Sequence, residues 1–151
     1  MTDFYMMRCA GCKAKNRVPG DKVGKTAKCG RCGGAIDTAP LSVGTPIVVT
    51  DTGFDKMVLG SPLPVLLDCY ASWCGPCQAL DPVLSEMAAS WKGRVRVGKL
   101  DVEKAPMVAA RYQVRSTPTL MIFENGQLRE SIVGALPKHQ LMQKMLPWIY
   151  K

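Results

Sequence analysis

Three pairs of cysteines share one spacing in this chain: Cys9-x-x-Cys12, Cys29-x-x-Cys32 and Cys74-x-x-Cys77. A seventh cysteine, Cys69, stands alone. Such a pair can exchange disulfides, or it can offer two thiolates to a metal ion. Before Cys74 lies "PVLLDCYA" (64–71), an unbroken apolar run short enough for a strand buried on both faces. After it, Cys77, Leu80, Leu84, Met87, Ala88 and Trp91 recur at helical spacing. Cys74 therefore falls where a strand hands over to a helix. The unpaired N–H groups and positive dipole end of a helix stabilise a thiolate there. Cys77 follows one turn later, close enough to close a small ring with Cys74. Pro76 stiffens that ring in the first turn, where a missing N–H costs little. The predicted chemistry has two steps: Cys74 attacks a substrate disulfide, then Cys77 displaces the substrate from the mixed disulfide.

Asp68 is the only charged residue between Lys56 and Asp81, and it sits inside the strand that reads as fully buried. Burial disfavours the carboxylate, so its pKa is expected to rise and to give a proton acceptor usable near neutral pH. We expect it to help deprotonate Cys77, directly or through a water; a structural acid bonded to backbone groups is the duller reading.

The segments "VLLDCYASWCGPC", "KLDV", "STPTLMIFENG" and "VGAL" resemble the thioredoxin family over roughly residues 46–151. The resemblance implies a central mixed sheet flanked by helices and protein-disulfide reductase activity. It makes Cys74 the nucleophile, Cys77 the resolving thiol, Asp68 the buried acid and Lys99 its charged neighbour. Thr117 would pair with substrate through its backbone, Pro118 would be a cis proline facing the site, and Gly134 would leave room in the substrate groove. Trp73, Gly75 and Pro76 would shape the surface around the cysteines. Two departures stand out. Cys69 and Tyr70 replace aromatic residues usual in the family, Cys69 reading as a buried, inert thiol. Asp81 stands where an apolar residue is usual, and could raise the cysteine pKa values or bias partner choice. Pro82, next to it, is expected to kink the helix.

The other two pairs are separated by sixteen residues, the spacing of a four-cysteine zinc site. Residues 9–32 contain no aromatic, Leu, Ile or Met, so nothing there can form a core. Four thiolates around one Zn²⁺ can order such a segment when burial cannot. Lys13, Lys15, Lys28 and Arg31 suit the negative charge of that cluster. Spacing and composition favour zinc over two disulfides, an iron centre or further redox pairs. With this module, the whole chain resembles the zinc-containing bacterial thioredoxin 2 type. That resemblance implies oxidised proteins as clients and a thioredoxin reductase as electron donor, so that NADPH acts only through the reductase and no organic cofactor is bound.

The elements that must position these sites follow from the rest of the pattern. An α/β domain with the thioredoxin fold is expected over 47–151, a zinc-binding module over 1–36 and a linker over 37–46. Strands are predicted over 64–71 and 94–102, and a short helix over 104–112. A hairpin should span 117–134 around Asn125-Gly126, with a closing helix over 137–146 ended or bent by Pro147. The chain of 151 residues is 47% hydrophobic and 21% charged, which excludes a disordered protein. The net charge of +8 is concentrated in the first 40 residues. A nucleic-acid surface is the weaker reading of that bias; a solvated face that offsets thiolate charge is preferred. His139, the only histidine, reads as a surface residue. With no export signal and no apolar stretch near the roughly 18 residues a membrane helix needs, a soluble, cytoplasmic monomer is expected. The competing function is a redox-responsive zinc chaperone or sensor, in which oxidation expels the metal.

Overall fold

The computed structural model describes residues 4–149. Twelve elements of regular structure carry the argument. They are β1 (Phe4–Arg8), β2 (Lys15–Pro19), β3 (Ala27–Lys28), β4 (Ala35–Ile36), β5 (Ile47–Val48), β6 (Val65–Tyr70), α1 (Gly75–Ser90), β7 (Arg96–Asp101), α2 (Pro106–Arg111), β8 (Thr119–Glu124), β9 (Gln127–Val133) and α3 (Lys138–Ile149).

The main sheet has the order β5-β7-β6-β8-β9. β6 pairs in parallel with β7 and antiparallel with β8, so it lies at the centre, as its unbroken apolar run requires. Side chains alternate between the faces of a strand. Leu66 of β6 joins Leu80, Leu84 and Met87 of α1 and Leu141, Met145 and Ile149 of α3 in one core. Leu67 and Cys69 join Phe54, Val58 and Val108 in a second core on the opposite face. The parity of Leu66 also puts Asp68 and Tyr70 under α1, and this one alternation creates the buried acid. The hairpin between β8 and β9 turns at Asn125 and Gly126, with φ of 56° and 74°, as the Asn-Gly pair predicts.

Several expectations need correction. α3 does not stop at Pro147 but runs to Ile149, because Met145 and Ile149 on either side of the proline are both buried and hold the last turn. Pro82, where a kink is expected, lies inside α1, which runs on to Ser90. The sequence also gave no sign of the π-helical turn Asp55–Leu59, whose Val58 fills the second core.

The N-terminal segment does have a core, although residues 9–32 alone cannot build one. Met7 from before the cysteines, and Ile36, Leu41 and Leu63 from after them, close over Val18, Cys9 and Cys29. The segment expected to be a linker takes part in this. Thr38 and Leu41 are buried and residues 39–42 form a 3₁₀ turn. Two small hairpins, β1–β2 and β3–β4, frame the module.

The module is docked against one end of the main sheet. The Arg8 N–H donates to the Pro62 carbonyl at 2.8 Å. The Arg8 guanidinium donates from Nε to Glu124 Oε2 at 3.0 Å and from Nη1 to the Lys13 carbonyl at 2.9 Å. Gly93 makes the close approach possible. A Cβ there would lie 2.5 Å from the Tyr5 ring, and its φ of +82° also suits glycine.

Candidate functional site

Cys74 is the N-cap of α1, with extended backbone (φ −86°, ψ 112°). Its Sγ accepts a hydrogen bond from the Cys77 N–H at 3.2 Å. One of the orphan donors of the helix start is thus aimed at the sulfur, as the strand-to-helix reading requires. Cys74 and Cys77 are joined in a disulfide with a Cα–Cα distance of 5.2 Å. Pro76 occupies the first turn, and a Cβ at Gly75 would meet nothing within 4 Å. Both sulfurs are largely covered. Trp73 beside them is 72% exposed, its indole N–H donating to Glu103 Oε1 at 2.8 Å. No motif in the sequence marks Glu103.

The Thr117–Pro118 peptide is cis. Thr119 pairs with Cys69, so this proline lies at the end of the sheet where β6 delivers the chain to Cys74. The Gly134 N–H donates to the Pro118 carbonyl at 2.8 Å, and the φ of +97° at Gly134 suits a residue without Cβ. Thr117, Pro118 and Gly134 are therefore one local unit.

Asp68 is 0% exposed, and neither of its oxygens has a hydrogen-bond partner among the described residues. Burial pushes its carboxyl up from 3.8 to about 7; Lys99 opposes the rise and Asp81 adds to it. Lys99 is the cross-strand partner of Asp68 on β7. Its ammonium, however, is paired with Asp81 Oδ1 and lies 4.5 Å from the centre of the Tyr70 ring. The structure thus joins Asp81, Tyr70 and Lys99, a grouping that sequence did not reveal.

The raised carboxyl has a consequence for stability. Its folded value lies above its unfolded one, so the native state keeps the proton longer. The stabilisation is complete below about pH 4 and is lost as pH rises through about 7. A rise of roughly three pH units corresponds to at most about 4 kcal/mol at 1.36 kcal/mol per unit. Asp68→Asn does not titrate. It is expected to gain up to about 4 kcal/mol on the wild type between about pH 4 and pH 8, read from paired urea titrations. A difference that stays constant with pH would show that the carboxyl is not raised.

The four sulfurs of Cys9, Cys12, Cys29 and Cys32 lie within 4.8 Å of one another. Cys9 and Cys32 are 3.6 Å apart, and Cys12 and Cys29 are 3.5 Å apart. Tetrahedral Zn–S bonds of about 2.3 Å require sulfur separations of about 3.8 Å, so the quartet fits the ion. The N–H groups of Arg31 and Cys32 and the Asn16 amide all point at the Cys29 sulfur. These donors, led by the Cys32 N–H, pull that thiol down to about 6, which suits a ligand that must be a thiolate. Asn16 was not singled out from sequence; its amide oxygen also accepts from the Gly30 N–H and ties the two knuckles together.

The two cysteine sites occupy opposite ends of the sheet. The first knuckle continues directly from Arg8, which grips Pro62 and Glu124, while Cys74 follows the other end of β6. Six residues of strand, roughly 20 Å, separate them.

A dithiol at a strand-to-helix junction, on a mixed sheet with helices on both faces and a cis proline at the same sheet end, defines the thiol–disulfide oxidoreductase class. Residues 45–146 match the family model described as thioredoxin, and residues 8–34 match the one described as thioredoxin 2, N-terminal. The chain belongs to the thioredoxin family, and its N-terminal module is the zinc ribbon of the thioredoxin 2 type. It is 46% identical over 97 residues to thioredoxin 1 of Nostoc sp. strain PCC 7120, covering 64% of this chain and 91% of the relative. With the thioredoxin of Rickettsia felis it is 43% identical over 103 residues, 68% of this chain and 94% of that one. With the chloroplastic M-type thioredoxin of Pisum sativum it is 40% identical over 102 residues, 68% of this chain, and it spans 59% of that longer protein. Among the described residues no helix is long and apolar enough to cross a membrane.

Proposed function

We propose that this chain reduces disulfides in oxidised proteins through Cys74 and Cys77. The observation that carries the reading is the Cys74 sulfur at the start of α1 with the Cys77 N–H directed at it. In the reduced protein the Cys74 thiolate attacks one sulfur of the substrate disulfide. A mixed disulfide forms and the other substrate sulfur leaves as a thiolate. Cys77 then gives up its proton towards Asp68 and attacks the Cys74 sulfur. The second substrate thiolate departs, and the Cys74–Cys77 disulfide remains. Two electrons have passed from the dithiol to the substrate. A thioredoxin reductase drawing on NADPH returns them.

Asp68, with a proton affinity matched to neutral pH, supports the role of acceptor in the second step. Lys99 modulates that acid. Trp73, Gly75, Pro76, Thr117, Pro118 and Gly134 form the surface that receives the substrate, and the backbone of Thr117 pairs with it as a short strand.

Cys9, Cys12, Cys29 and Cys32 would hold one Zn²⁺, which supplies the cross-link that the small core of the module needs. Residues 1–36 form the zinc module, 37–46 the connection and 47–151 the thioredoxin domain. The working unit is a cytoplasmic monomer, without a membrane or nucleic-acid role.

Cys32 is exposed, and that observation favours a second reading, a redox-responsive chaperone or sensor. The two are separated by treating the zinc-loaded protein with mild peroxide while following metal release and reductase turnover. Turnover that stays constant while zinc leaves supports a structural metal; turnover or holdase activity that changes in step with release supports the sensor.

A further inference from the structure

Asp81 is unexplained by the dithiol chemistry, although it lies on the helix that begins at that dithiol. The geometry around it is specific. Asp68 and Lys99 are direct cross-strand neighbours on the face under α1, with the Asp68 carboxyl buried and without a hydrogen-bond partner among the described residues. An ammonium beside an unpaired buried carboxyl would ordinarily turn to it, since burial strengthens their attraction. Lys99 instead reaches Asp81 and rests over the Tyr70 ring, so the cation is engaged by two other groups.

We propose that Asp81 is a positioning residue which, together with the Tyr70 ring, holds Lys99 off Asp68 and so leaves the buried carboxyl free to accept a proton. The proposal deepens the assignment of Asp68 as proton acceptor and rests on it for its catalytic consequence.

The surroundings of Asp68 leave few other sources of control. β7 contributes Lys99 and α1 contributes Asp81. The β8 residue opposite is Leu120, and the β6 neighbour Cys69 belongs to the other face. Cys77 of α1 is disulfide-bonded and does not titrate. The carboxylate at position 81 therefore acts twice on Asp68: as a negative charge of its own, and by occupying the cation. The second route is the one proposed.

The test is a carboxyl carbon NMR titration of Asp68 in the oxidised full-length chain, where no active-site thiol contributes. In Asp81→Asn the midpoint should fall by about one pH unit, because Lys99 is released towards Asp68. Asp81→Glu should restore the wild-type midpoint, and Lys99→Met should raise it. The decisive variant combines Asp81→Asn with Lys99→Met. If Asp81 acts by holding Lys99, its loss should then shift the midpoint by less than half as much. An unchanged midpoint in Asp81→Asn, or an undiminished shift in the Lys99→Met background, overturns the proposal. These readouts do not need turnover. A shift in Asp68 with no change in the pH profile of mixed-disulfide resolution would remove only the catalytic role of Asp68 and leave the positioning intact.

Discussion

Replacing Cys74 by Ser is expected to lower disulfide-reductase turnover at pH 7 by about a thousandfold or more. A serine hydroxyl does not ionise near neutral pH, whereas even an ordinary cysteine is a few per cent thiolate, and the N–H of Cys77 is aimed at the sulfur that must carry the charge. Cys77→Ser should behave differently. The first step needs only Cys74, so one substrate molecule should be captured and held as a mixed disulfide that mass spectrometry detects. Turnover should still collapse, because nothing attacks that bond from within. Cys69→Ala is the control. Burial pushes the Cys69 thiol up to about 12 and it packs on the other face of the sheet, so it can replace neither partner. Substantial turnover in Cys74→Ser, or trapping by Cys74→Ser in place of Cys77→Ser, would refute the assignment of roles.

The dithiol was legible because its chemistry depends on local structure. A buried strand followed at once by a helix leaves an unmistakable change of period, and it fixes where the intervening cysteine must lie. Asp68 was legible for a related reason: one charge in an apolar run stands out. The Asp81–Lys99–Tyr70 grouping was not, because it joins side chains from three elements and depends on how far a flexible lysine reaches. Glu103 and Asn16 are single polar residues without periodicity, so only their partners give them meaning. The N-terminal core is not legible in the cysteine segment for a physical reason too: Met7, Ile36, Leu41 and Leu63 come from outside it. A small module can borrow apolar cover from its neighbours, and a local window of sequence cannot show this. At Pro147 the helix is not ended: it runs on to Ile149, with Met145 and Ile149 buried on either side of the proline.

That borrowed cover leads to the second large effect. Removing zinc with a chelator, or exchanging Cys9 and Cys12 for Ser, should disorder the two hairpins of the module, since eight buried side chains cannot hold about thirty residues by themselves. The damage should extend into the main sheet, because the two parts share contacts. Leu63 would lose its cover, worth about 1.5–3 kcal/mol. Glu124, 7% exposed, would lose Arg8 and keep Arg129, at 3.5 Å. That loss adds about 1 kcal/mol. Together these losses should lower the Tm of the thioredoxin domain by roughly 5–15 °C, taking about 2–4 °C per kcal/mol for a chain of this size. The dithiol lies at the other end of the sheet, so turnover measured well below that Tm should stay within about threefold of the zinc-loaded protein. Arg8→Ala keeps all four metal ligands and isolates the docking contact. It should bind zinc normally and still reproduce part of the fall in Tm. An unchanged Tm after complete zinc removal would show that the module is independent of the sheet. Loss of turnover while circular dichroism reports an intact sheet would show instead that the metal controls the dithiol across it.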